Sequence, residues 1–116
     1  MEEASALGGG IAVNQILYNL TRRSVEIDLL PSLRRQGVPV MAYSPVEQGR
    51  LLRNPKLAAN AEPLRSTPAQ LALAWLLAQP GAIVIPKAGD AKHVEENRAA
   101  ADLKLTPHDL AALDVI

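Results

Sequence analysis

The chain has no cysteine and no phenylalanine. Without thiols there are no disulfides, no thiolate metal sites and no cysteine nucleophile. Without phenylalanine, and with aromatics at only 3% of residues, the core must be built from Leu, Ile, Val and Ala. Histidine is scarce too: His93 and His108 are the only two, too few for a His-rich metal centre, and no metal site is expected. There is no excess of either charge, with 12 basic and 12 acidic residues. That balance argues against nucleic acid or an anionic membrane as partner, since both reward a basic surplus. No apolar run reaches membrane-spanning length and the start does not resemble a signal peptide, so a soluble cytoplasmic protein is expected. A length of 116 residues suits one domain with a modest core.

Met1 to Leu7 reads as a short helix, broken by Gly8-Gly9-Gly10. A dinucleotide-binding loop needs a strand before its glycines and a helix after them; here the order is reversed. Ile11 to Gln15 reads as a strand that places Asn14 and Gln15 at its carboxyl end, where amides either contact a ligand or simply close the strand. Tyr18, Asn19 and the polar Thr21 to Ser24 follow as a loop. Ser24 is expected to cap a helix to about Gln36, with Ile27, Leu30 and Leu33 on one stripe, Pro31 in the first turns and Gly37 at C′. Val38 to Tyr43 reads as another strand, ended by Ser44-Pro45. Val46 to Pro55 is a polar loop, with a short helical turn over Pro55 to Asn60.

The clearest helix begins at Thr67-Pro68-Ala69-Gln70. Thr67 is the N-cap, Pro68 occupies N1 and Gln70 completes a capping box. Leu71, Trp75 and Ala78 share one face, and Trp75 reads as a packing residue rather than a cofactor platform. Thr106-Pro107-His108-Asp109 opens a second helix of this design and puts His108 in an exposed first turn, where it reads as structural. Between them, Ala82 to Ile85 reads as a strand buried on both faces, stopped by Pro86. Lys87 follows at the strand's carboxyl end, and Asp90 caps a helix to about Ala100. A lysine beside a helix N-terminus can hold an anion; the same residues also suit an ordinary βα turn with a surface lysine.

Alternating strands and helices imply parallel strands joined by right-handed crossovers. Two architectures fit: an open doubly wound sheet, or part of a (β/α)8 barrel, which needs about 250 residues when complete. Both bind ligands at the carboxyl ends of their strands.

Taken in order, Val13-Asn14-Gln15, Ala42-Tyr43-Ser44-Pro45, Thr67 to Leu76, Ile85-Pro86-Lys87 and Glu96-Asn97 resemble the aldo-keto reductases. The resemblance runs from about Gly8 to Ile116 and is strongest to bacterial members that reduce small aldehydes and ketones. It implies an α/β fold that is a partial (β/α)8 TIM barrel: about the last three βα units, with residues 1–116 as a single partial-barrel domain. It implies NADPH as cofactor. By position Gln15 resembles the residue that holds the nicotinamide carboxamide, Tyr43 the aromatic that stacks on the ring, and Ser44 a pyrophosphate contact. Lys87 matches the partner of the adenosine 2′-phosphate, and Glu96 and Asn97 match the adenine-contacting pair. His93 stands where the family has an arginine and Ala88 where it often has a serine. A neutral imidazole weakens one fixed charge, which leaves NADH as an alternative.

No residue matches the family's catalytic Asp, Tyr, Lys and His, and Tyr18, Tyr43, Lys87 and His93 do not fill those roles. Three functions follow from this. The chain is the NADP-binding portion of a carbonyl reductase, inactive alone, with a small carbonyl substrate only once the barrel is completed. Alternatively it is a non-catalytic nucleotide-binding module that self-associates through its open sheet edges. The third is an unrelated open α/β domain that binds some other phosphate.

Overall fold

Thr67 nucleates the best-built element of the chain. In a computed structural model that describes residues 1–116, the Thr67 hydroxyl accepts from the Gln70 amide at 3.1 Å, and Gln70 Oε1 accepts from the Thr67 amide at 3.0 Å. This reciprocal cap starts helix α4, Pro68–Leu77. Its residues Leu71 to Trp75 and Leu76 are all buried. A helix buried all round is a core element, and the rest of the chain wraps it.

Five further helices and three strands complete the fold: α1 Glu2–Ala6, β1 Asn14–Leu17, α2 Leu29–Arg35, β2 Val40–Tyr43, α3 Pro55–Ala61, β3 Ala82–Val84, α5 Ala91–Ala99 and α6 Pro107–Leu113. The sheet order is β1-β2-β3, parallel throughout, with Asn14 opposite Val40 and Val40 opposite Ala82. Three predicted caps hold. Asp90 accepts from the His93 amide at 2.8 Å, Thr106 and Asp109 form the second capping box, and Gly37 turns the chain after α2 at φ +67°. No helix is long and apolar enough to cross a membrane.

One face of the sheet carries the core. Val40 and Ala42 point into it, against Leu30, Leu33, Leu71, Trp75 and Leu76. The other face is open: Val13, Tyr43, Ile83 and Ile85 are 36–42% exposed. The expectation that Ala82 to Ile85 would be buried on both faces is therefore wrong. The apolar residues are there, but nothing in these 116 residues covers them. The chain as a whole is also more exposed than an ordinary monomer. At 12.4 kDa a globular monomer exposes about 6,100 Å², whereas this chain exposes 7351 Å².

Three local expectations also fail. Asn14 and Gln15 open β1 rather than close it, because pairing with β2 begins at Asn14 and runs on to Leu17. The segment after Ser24 is not one helix: a tight turn spans Ser24–Glu26, Ser24 makes no cap, and α2 starts only at Leu29. Ile27 falls in the break and is 76% exposed, while Leu30 and Leu33 of the same stripe are buried. Tyr18, Asn19 and Leu20 are not a solvated loop but part of the interior. Tyr18 meets Trp75 edge-on at 5.6 Å, and Arg23 lies over the same indole.

Candidate functional site at the carboxyl rim of the sheet

Parallel strands send their carboxyl ends to one rim. After β2 the chain enters a tight loop, with Ser44 at φ 50°, Glu47 at 51°, Gln48 at 53° and Gly49 at 87°. The left-handed region costs a non-glycine residue about 1 kcal/mol or more, so three such residues need holding. Neighbouring amides supply local bonds: Glu47 N donates to the Ser44 carbonyl at 3.0 Å, Gly49 N to Val46 at 2.9 Å and Arg50 N to Glu47 at 3.1 Å.

Two residues beyond β1 stands Asn19, fully buried. Its Nδ2 donates to the Ser44 carbonyl at 2.9 Å and to Glu47 Oε2 at 2.7 Å. Its Oδ1 accepts from the Thr21 amide and hydroxyl, each at 3.0 Å. Arg22 Nε donates to the other Glu47 oxygen at 2.9 Å. These bonds, Arg22 first and Asn19 second, hold the Glu47 carboxyl below its ordinary range.

Across the rim, β3 ends at Val84, and Ile85-Pro86 leads to Lys87. Ser44, Val46, Gln48, Ile85, Lys87 and Gly89 are among the residues lining one cleft of about 620 Å³. Lys87 is exposed and joins no ion pair. The cleft thus combines a free cation, a serine and a loop with left-handed backbone, and it can accept an anion.

Ser44 and Lys87 are the sequence-predicted residues that share this cleft. Tyr43 and Gln15 lie on the open sheet face, Tyr43 paired with Leu17 and Gln15 with Met41. His93, Glu96 and Asn97 lie along α5. His93 Nδ1 is 3.1 Å from Asp90 Oδ2, so its ring folds back onto the cap of its own helix. The Glu96 carbonyl accepts from Gln70 Nε2 at 3.1 Å, which ties α5 to α4 through the residue that completes the Thr67 cap. Asn97 lines a separate hollow of about 180 Å³ with Leu73, Val84 and Pro86.

Sequence reasoning passed over Asn19, Glu47, Gln48 and Gly49. The available signal was Asn19-Leu20-Thr21 directly after a strand: an asparagine two residues before a threonine favours a side-chain-capped turn.

Against known proteins, the family model described as "Aldo/keto reductase family" matches residues 1–116. "Methylglyoxal reductase YeaE" of Escherichia coli (strain K12) is 42% identical over 98% of this chain and 43% of its own. Among solved structures, an aldo/keto reductase from Klebsiella pneumoniae in complex with NADP and acetate superposes at TM-score 0.89, with 40% identity, over 99% of this chain and 44% of that one. Another from Klebsiella pneumoniae, in complex with NADPH, superposes at TM-score 0.85 with 43% identity, over 90% and 38%. The chain belongs to the aldo/keto reductase family. It spans less than half the length of these relatives, and its three parallel strands form part of a (β/α)8 barrel.

Proposed function

We propose that this chain is the NADP-binding portion of a carbonyl reductase site and does not complete the reaction alone. The observation that carries this is the cleft between the Ser44 loop and Lys87, in a family with solved members in complex with NADP or NADPH. The residues fit such a group. Lys87 is a free cation suited to a phosphate, Ser44 brings a hydroxyl beside it, and Tyr43 is an exposed aromatic on the strand that leads into the same loop. Gln15 lies on the same open face as Tyr43 and suits the carboxamide; His93, Glu96 and Asn97 suit the adenosine end.

The bound cofactor supplies a hydride. This chain's own residues bind and orient: Lys87 supplies charge and Ser44 a hydroxyl to the phosphate end, while Tyr43 and Gln15 serve the nicotinamide end from the open sheet face. Carbonyl reduction also needs an acid to protonate the developing alkoxide. No residue here occupies that role, so residues outside this chain must provide it, together with the small-carbonyl pocket. NADPH is the expected cofactor and NADH the weaker one.

Titration with NADPH and NADH, followed by cofactor fluorescence, tests the binding half. Saturable NADPH binding that exceeds NADH binding is expected; no binding of either defeats it. Steady-state NADPH oxidation with methylglyoxal tests the other half, and robust turnover by the purified chain would overturn the claim of incompleteness.

The open face of Val13, Tyr43, Ile83 and Ile85 favours a second reading, in which copies of the chain pair through it. Light scattering after size exclusion separates the two: a well-behaved monomer counts against pairing.

A further inference from the structure

We propose that Asn19 is the positioning residue of the Ser44–Lys87 cleft, and that its buried carboxamide holds the 44–49 loop in the left-handed shape that lines it. The cofactor reading above enters only in what the cleft binds.

Every hydrogen-bonding capacity of the Asn19 amide is used. Two donors reach the Ser44 carbonyl and Glu47, and the oxygen takes both Thr21 donors. One end of this amide is thus anchored to the β1 rim and the other to the β2 rim. The loop's own turn bonds, Glu47 to Ser44, Gly49 to Val46 and Arg50 to Glu47, are short-range and do not fix its position relative to the sheet. Arg22 holds Glu47 as well, at its other oxygen, but makes no bond to Ser44. Asn19 is wholly buried, where an unmet donor or acceptor is costly. It grips both Ser44 and Glu47, two of the loop's three non-glycine residues with left-handed backbone.

The residue type follows from this. Only a short side chain with two donors and an acceptor makes all four bonds. Leucine fills the space and makes none. Aspartate keeps the shape but sets a carboxylate against Glu47.

Amide hydrogen exchange on the full chain tests the proposal, with adenosine 2′,5′-bisphosphate as a probe of the cleft. In Asn19→Leu, the Glu47, Gly49 and Arg50 amides should exchange about tenfold faster or more, while the α4 amides keep their protection. The dissociation constant of the bisphosphate should rise about tenfold. Asn19→Asp should show the same loss, and adding Glu47→Gln should recover part of it, because the donor then sits on the other partner. If Asn19→Leu does not fold, Asn19→Asp and its rescue carry the comparison. Unchanged exchange at 47–50 in a folded variant overturns the proposal. So does a uniform rise that includes α4, or the absence of any rescue. If the wild-type chain does not bind the bisphosphate, the cofactor reading fails. A selective loss of loop protection in the variant still upholds the positioning role.

Discussion

The Arg23 guanidinium sits 5.0 Å from the centre of the Trp75 ring. The same group donates to both Glu26 oxygens, at 2.9 and 3.0 Å, and to Asp114 at 2.7 Å. Tyr18 completes the cluster: its hydroxyl donates to Glu26 at 2.7 Å and its ring meets the indole. Two segments that are distant in sequence, residues 18–26 and the stretch at Asp114, therefore close over one edge of α4. The cluster explains how a chain with one tryptophan and two tyrosines builds a specific core without phenylalanine.

Removing Arg23 should expose this. Arg23→Ala is expected to cost about 1–3 kcal/mol, from lost charge-assisted hydrogen bonds and the cation–π contact. Arg23→Lys should cost less but not nothing, because an ammonium cannot reproduce the two-pronged grip on Glu26. Urea unfolding followed by Trp75 emission measures both effects, with the slope unchanged if only stability moves.

Tyr18 should govern the alkaline limit of stability. Burial first, then the Glu26 acceptor, raise its pKa well above the ordinary 10.0. The fold therefore favours the protonated phenol. Its contribution is whole below pH 10 and shrinks as pH rises further, because the unfolded chain has lost a proton that the folded chain still holds. Stability measured from pH 8 to 11 should fall at the alkaline end, and Tyr18→Phe should flatten that fall.

The acid limit has the opposite sign. Asp109 is held below its ordinary 3.8, chiefly by the Thr106 amide and then its hydroxyl, and Glu47 below its ordinary 4.5. Both contribute above those values, and the contribution is lost as pH falls through their lower folded values. Glu47→Gln and Asp109→Asn should each lower stability more at pH 7 than at pH 3, measured by urea unfolding at the two values.

The Thr67 cap separates helix stability from helix docking. Thr67→Ala should cost about 1 kcal/mol, and Thr67→Ser far less. Gln70→Glu keeps an acceptor for the Thr67 amide but loses the donor to the Glu96 carbonyl. It should leave α4 intact and loosen α5, seen as faster amide exchange along Ala91–Ala99 alone.

On the cofactor reading, Lys87→Ala should weaken NADPH binding about tenfold or more, the scale of a lost charge-assisted bond, and should change NADH binding little. His93→Arg should strengthen NADPH selectively, since it adds a fixed charge where the imidazole now turns back to Asp90. Fluorescence titration of both variants with both cofactors reads this difference, and equal effects on the two would count against a 2′-phosphate role for Lys87.

Much of the chain was determined by sequence alone, where the determinants are local. The capping boxes at Thr67 and Thr106, the Asp90 cap, the proline stop at Pro86 and the turn at Gly37 each depend on residues within a few positions of one another. Short-range bonding decides them whatever the rest of the molecule does. The order of the motifs was equally legible and pointed to the family, the parallel strands and the partial barrel. What lay beyond sequence depends on contacts across the fold. Strand register placed Asn14 and Gln15 at the start of β1, because pairing with Val40 and Met41 decides where a strand begins. The open face of Ile83 and Ile85 was invisible, since an apolar run does not say whether anything covers it. Asn19 read as part of a polar loop, and only the tertiary structure brought it against Ser44 and Glu47, 25 and 28 residues away. A buried amide acquires its role from partners supplied by distant segments, and no local pattern names them.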